Sequence, residues 1–143
     1  MPQSWLIFAL LSAVAASLVA VFGKMGLQGV DSNTATAIRA FIMTIFLVGV
    51  LLVEGKLSKI SNIVSDPRAM LFIILSGVVG ALSWLFYFLA LNSGKVAQVV
   101  SIDRLSIVFA VILAFLFLSE HISLRAGIGV AIMTVGAIIV ALG

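Results

Sequence analysis

The stretch Val96–Leu118, VAQVVSIDRLSIVFAVILAFLFL, decides how this chain is read. A helix needs about 20 mainly apolar residues to cross the hydrocarbon core of a bilayer, and this stretch is long enough. It lacks the strict apolar/polar alternation of a barrel strand. Only helices and closed barrels satisfy the backbone in lipid, so the stretch reads as a membrane-spanning helix. It nevertheless carries Asp103 and Arg104 side by side, just ahead of its middle. On insertion scales each such charge costs about 2.5–3.5 kcal/mol at the helix centre, so both need a reason to be there.

Four more runs of the same kind flank it: Ser4 to Leu27, Asn33 to Val53, Ala69 to Asn92, and Leu124 to Leu142. Of the 143 residues, 64% are hydrophobic and 9% charged, against about 25% charged in soluble domains. The expected fold is therefore all-α: a polytopic membrane protein, a bundle of five transmembrane helices forming a single domain over residues 1–143. The segment Glu54 to Arg68, with Lys56, Lys59, Asp66 and Pro67, reads as aqueous. Asn92-Ser93-Gly94-Lys95 and Ser119 to Ser123 are tight connections, so spans three, four and five are expected to be antiparallel neighbours. There is no internal repeat. Ala13-Val14-Ala15 offers a signal-peptide cleavage site, but no charged region precedes it and the run from Met1 to Gly23 is long enough to span, so it is read as retained.

Composition also excludes chemistry. The formal charge of +3 comes from Lys and Arg scattered singly between apolar runs. That is the pattern of cytoplasmic loops and not a nucleic-acid stripe. With no cysteine and a single histidine, His121, thiolate and His-cluster metal sites are out. No paired carboxylates and no Ser with a His base lie within the spans, so neither a catalytic residue nor a cofactor is assigned, and an enzyme is not expected. Lys56, Lys59, Arg68 and Arg125 fall on the N-terminal side of the membrane, against Lys24, Lys95 and Arg39 on the other. This slight bias puts the N-terminus in the cytoplasm of a cytoplasmic-membrane protein, and is weak enough for insertion both ways. Small residues mark helix-packing faces: Ala9, Ser12, Ala13, Ala16, Ala20 and Gly23 in span one, and Gly127, Gly129, Ala131, Gly136 and Ala137 in span five.

The in-membrane charges converge on one layer. Asp103 lies four positions before Ile107, the middle of span four, and Arg39 four before Met43, the middle of span two. Both are ~6 Å off-centre on the same side. Trp84 and Tyr87 fall in that half because span three runs the other way, and Lys24 ends span one there. Asp103 shares a helical face with Ser106, Ala110 and Ala114, which reads as interior, while Arg104 is turned by about 100°. Asp103 is expected to pair with Arg39 across helices, leaving Arg104 for a solute, a lipid phosphate or a partner subunit. Two readings stand beside each other: a solute or coupling site made of Asp103, Arg104, Arg39, Trp84 and Tyr87, or an ion pair that fixes helix register beside an aromatic belt, with Lys24 as an interface anchor.

The C-terminal half, from Ala90, ALNSGKVAQVVSIDRLSIVFAVILAFLFLSEHISLRAGIGVAIMTVGAIIVALG, resembles the EamA-like domain of the drug/metabolite transporter superfamily. The resemblance rests on Ala90-Leu91 closing one span, the Gly94–Val100 entry to the next, the phenylalanine-rich run into Ser119-Glu120, and the Gly-rich last helix. Members commonly join two inverted five-helix halves, and this chain resembles one half. The resemblance implies a secondary transporter of a small metabolite or drug, acting by alternating access as a homodimer or with a second half-size chain. The site would lie at the repeat interface. Many EamA-like domains carry a proline where this chain has Ser101-Ile102-Asp103-Arg104-Leu105. Small multidrug resistance relatives use a glutamate in the first helix, and span one here has no carboxylate. The balance of Arg39 and Arg104 against Asp103 leans towards an anionic or zwitterionic solute. The alternative is a non-transporting assembly or regulatory partner.

Overall fold

The computed structural model describes residues 4–143, and these are 85% helical with no strand among them. In chain order the helices are α1 (Ser4–Gly26), α2 (Ser32–Val53), α3 (Ser58–Val64), α4 (Pro67–Ser93), α5 (Val96–Asp103), α6 (Ser106–Leu118) and α7 (Leu124–Leu142). Five stretches are long and apolar enough to cross a membrane: α1, α2, α4, α5 with α6, and α7. Large apolar side chains face outward from each, with Phe8 69%, Phe46 70%, Phe72 60%, Phe117 80% and Ile139 65% exposed. In water such surface would be an aggregation hazard, and in a bilayer it meets lipid. The chain is an all-α polytopic membrane protein.

Local chemistry sets the helix starts. Asp31 caps α2 from an extended backbone, its carboxylate accepting from the Thr34 amide at 2.7 Å and the Thr34 hydroxyl at 2.8 Å. Those two donors hold the carboxyl below the usual carboxylate range. Asp66 does the same for α4, accepting from the amides of Arg68 at 3.0 Å and Ala69 at 3.1 Å. Pro67 then occupies the first helical position, where its missing N–H costs nothing. This starts span three two residues before Ala69. Ser123 caps α7 through the Ala126 amide at 3.2 Å. At its far end α6 closes on Ser119, a non-glycine residue with φ 53°, in the left-handed region. The connection expected to be simply aqueous contains α3, with Ile60 and Ile63 at helical spacing, and an exposed Lys56–Glu54 ion pair at 2.7 Å.

Span four is not one continuous helix. The Leu105 amide donates to Ile102 O at 2.9 Å, Ile107 to Arg104 O at 3.1 Å, and Val108 to Leu105 O at 3.0 Å. The Arg104 amide is shared between the carbonyls of Val100 and Ser101, at 3.3 and 3.2 Å. Apart from the bond to Val100, these bonds reach back three residues, so the backbone tightens into a 3₁₀-like turn between α5 and α6. Apolar length reports a span, but it does not report this interruption.

The helices sort into two compact units. The first joins the chain up to Lys24 with Ser93–Gly143. In it α5 packs along α7, and α6 touches α7 more lightly. The Gln98 amide nitrogen donates to Ala141 O at 3.1 Å, tying the start of α5 to the end of α7. The inward face of α7 is Val130, Thr134, Ala137 and Ala141. Of the stripe expected from Gly127, Gly129, Ala131, Gly136 and Ala137, Ala137 lies on this face and the other four are exposed. Spacing of small residues alone did not distinguish the two faces, because Ala137 belongs to one and Gly136 lies about 100° away. In α1 only the later part of the small stripe turns inward: Ala20 is buried, Ala16 and Gly23 half-buried, and Ala9, Ser12 and Ala13 exposed. The Lys24 ammonium donates to Gly94 O at 3.0 Å, in the turn that leads into α5.

The second unit, Met25–Asn92, holds α2, α3 and most of α4. Ser32 and Thr36 are buried on α2, and the Thr36 hydroxyl donates to Ser32 O at 2.8 Å. On α4, Phe88 and Leu91 are buried.

Candidate solute cavity and membrane-embedded charges

On α2, Ser32, Thr36, Arg39 and Met43 recur at helical spacing and share one face. That face is buried at Ser32 and Thr36 and half-buried at Arg39, so Arg39 is directed into its unit and not into lipid. Opposite it, Trp84, Tyr87 and Phe88 lie at i, i+3 and i+4 on α4, which brings their rings together. Ring centroids are 5.6 Å apart for Trp84–Tyr87, 5.8 Å for Trp84–Phe88 and 5.9 Å for Tyr87–Phe88, two of them edge-to-face. The Arg39 guanidinium carbon sits 3.7 Å from the Trp84 ring centroid and 5.0 Å from that of Phe88. Both distances fall within the ~6 Å reach of a cation–π contact.

Between α2 and α4 opens a cavity of about 710 Å³, within the range of about 300–1,000 Å³ usual for small-molecule sites. Thr36, Arg39 and Trp84 lie in its wall with Met43, Leu47 and Gly80. Most of the lining is aliphatic or small, and among the described residues Arg39 is the only charged one in it. Gly77 and Gly80 help to make the space, since a Cβ at either would meet nothing within 4 Å.

The structure brings three of the expected site residues together, Arg39, Trp84 and Tyr87. Asp103 and Arg104 belong to the other unit. Asp103 ends α5 and Arg104 forms the tightened turn after it. Both are exposed on the single chain, as are Ser106 and Ala110, with Ala114 half-buried. Within one chain the face of Asp103 is thus not the interior that was expected, because α5 packs on α7 through other residues. Asp103 and Arg104 form no ion pair with each other.

Three residues of consequence were not singled out from sequence. Phe88 is the second ring under Arg39, and its i+4 spacing from Trp84 was the available signal. Thr36, one turn before Arg39, announces the polar face of α2. Gln98 lies two residues into span four, and nothing in its sequence neighbours points to Ala141.

The EamA-like transporter family matches residues 3–142. The chain is 41% identical over 141 residues to an uncharacterized transporter in the cobO 3′ region of Sinorhizobium sp, covering 99% of each protein. It is 30% identical over 97 residues to an uncharacterized protein of Methanocaldococcus jannaschii, covering 67% of this chain and 71% of that one. No solved structure matches the chain significantly. A match running through all five membrane-length helices, together with a relative named as a transporter, makes this chain a membrane transporter belonging to the EamA-like transporter family.

Proposed function

We propose that this protein is a secondary transporter that moves a small metabolite or drug across the cytoplasmic membrane by alternating access, working as a dimer of five-helix copies. The observation that carries this reading is the interruption of span four at Asp103–Arg104. Irregular backbone at membrane depth is tolerated where it is covered by protein or lines a wet cavity. Discontinuous helices near the midplane are the usual place for solute and coupling-ion sites in transporters. On the single chain Asp103 and Arg104 are exposed. Leaving both to lipid would cost roughly 5–7 kcal/mol on insertion scales, so a second copy or an aqueous path is needed beside them. Both fit a dimeric transporter. In this reading Asp103 takes a coupling proton or part of the solute, and Arg104 balances its charge. Arg39 and Trp84 line the α2–α4 cavity, and Tyr87 packs edge-to-face on Trp84 behind them. The N-terminus is cytoplasmic in at least one copy.

Solute flux into proteoliposomes tests the assignment. Asp103→Asn at wild-type expression should abolish it, and undiminished flux would refute a role for this carboxylate. If Asp103→Asn instead lowers assembly with another membrane protein and wild-type vesicles show no flux, the protein is an assembly partner. C-terminal reporter fusions read on both sides of the membrane test the dimer. Comparable signals on the two sides support an antiparallel homodimer, and a single orientation excludes it.

A further inference from the structure

We propose that the cavity between α2 and α4 binds an organic anion: an acidic group seated against the Arg39 guanidinium, with an apolar body lying along Met43, Leu47 and Gly80. The inference rests on the transporter reading for its purpose, but not for its geometry.

The wall of the cavity offers one charge, and it is positive. The carboxylates of the same unit are all engaged elsewhere. Asp31 accepts from Thr34, Glu54 pairs with Lys56, and Asp66 caps α4. None of them neutralises Arg39. A charge held at membrane depth without an opposite charge from its own unit is a standing demand for an anion.

The stacking defines what kind. Trp84 is the ring best suited to receive a cationic ligand, but Arg39 already covers it at 3.7 Å. A quaternary ammonium or amine would meet a guanidinium where it needs a ring. At 3.7 Å the guanidinium carbon is at stacking distance from the indole, and a guanidinium that stacks by its flat face keeps its in-plane N–H donors available to other partners. A planar fork of this kind matches a carboxylate or phosphate by two parallel hydrogen bonds. The rings also fix its orientation in advance, so less rotamer entropy is lost on binding. No carboxylate lines the cavity to hold an ammonium group, so a simple anion is favoured over a zwitterion. Aliphatic walls ask for an apolar body behind the acid, and the absence of side chains at Gly77 and Gly80 leaves room for it.

An acidic headgroup on an apolar body could belong to a free solute or to a lipid, and the test separates them. The chain has two tryptophans, Trp5 and Trp84, so Trp5→Phe leaves Trp84 as the sole reporter. Its fluorescence is followed in phosphatidylcholine nanodiscs during titration with 4-phenylbutyrate and with 4-phenylbutylammonium, which share a body and differ in charge. The anion should give a saturable change and the cation none. Arg39→Gln should weaken anion binding by at least about tenfold. Arg39→Lys, which keeps the charge but not the fork, should fall between them. Gly80→Leu should block binding while leaving Arg39 in place. Equal responses to the two probes, or anion binding undiminished in Arg39→Gln and Gly80→Leu, would overturn the proposal. The probe comparison needs no Arg39 variant, so a poorly folding Arg39→Gln does not rescue it. Loss of the anion signal in nanodiscs containing phosphatidylglycerol would reassign the site to a lipid headgroup and refute the solute. Binding is read without flux. A protein that transports nothing would still show it, and a transporter of other solutes would not.

Discussion

The contact between Arg39 and Trp84 should be worth enough to measure as a coupling energy. The guanidinium carbon lies 3.7 Å from the indole centroid, and a second ring, Phe88, stands at 5.0 Å. Cation–π pairs contribute about 0.5–1 kcal/mol when exposed and about 2 when desolvated. Arg39 and Trp84 are both half-buried, so the expected coupling is about 1–1.5 kcal/mol, a factor of roughly 5 to 12 in the unfolding equilibrium. The perturbation is the cycle of Arg39→Gln, Trp84→Leu and the double variant, unfolded by raising the SDS fraction in mixed micelles and followed by circular dichroism. Each single variant loses the contact, so the double should be less destabilised than the sum of the two. Sites without interaction add to within about 0.3–0.5 kcal/mol. A coupling below ~0.3 kcal/mol would show that the rings and the guanidinium merely lie close together. Arg39 would then owe its position to something other than the aromatic cluster.

Further outcomes are expected. Gln98→Leu removes the bond to Ala141 O and should destabilise the first unit by about 0.6 kcal/mol, and by no more than ~1.7. Wild-type SDS resistance in that variant would show the bond to be dispensable. Gly80→Ala places a methyl where nothing lies within 4 Å and should raise stability by about 0.5–1 kcal/mol through helix propensity. A loss would mean that another helix uses this surface in the membrane. Asp31 has a lowered carboxyl in the folded state, so its capping contribution is fully present above the ordinary value of 3.8 and is lost as pH falls through the folded value. Hydrogen exchange at the Thr34 amide should therefore accelerate on acidification beyond its intrinsic pH trend. Asp31→Asn, which can still cap, should remove that extra dependence and Asp31→Ala the protection itself. Unchanged protection in Asp31→Ala would refute the cap.

The five spans were legible because lipid imposes a length on apolar sequence that nothing else in a chain this size requires. The helix starts were legible to within two residues. The Asp66-Pro67 cap shows where the shortfall lay, since the chemistry of the start precedes the apolar run. Arg39, Trp84 and Tyr87 could be placed at one depth because depth follows from counting along helices. Which charges meet does not follow from counting. It depends on how each helix is rotated, and a shift of one residue turns a face by about 100°. That is why the small-residue stripe of α7 mixes two faces, with Ala137 buried and Gly136 exposed, and why Phe88 was not placed beside Arg39. The interruption at Arg104–Leu105 has no glycine or proline to announce it, only two charges in an apolar run.

That interruption gives span four unequal mechanical halves. α5 is fastened along α7 and latched by Gln98, whereas α6 touches α7 lightly. With 13 residues at 1.5 Å each, α6 is a lever about 20 Å long. A tilt of only about 10° at the turn would carry its Leu118 end roughly 3.5 Å sideways. The hinge coincides with Asp103 and Arg104, so a small change of backbone angle beside these two charges reaches the Leu118 end enlarged by the length of α6.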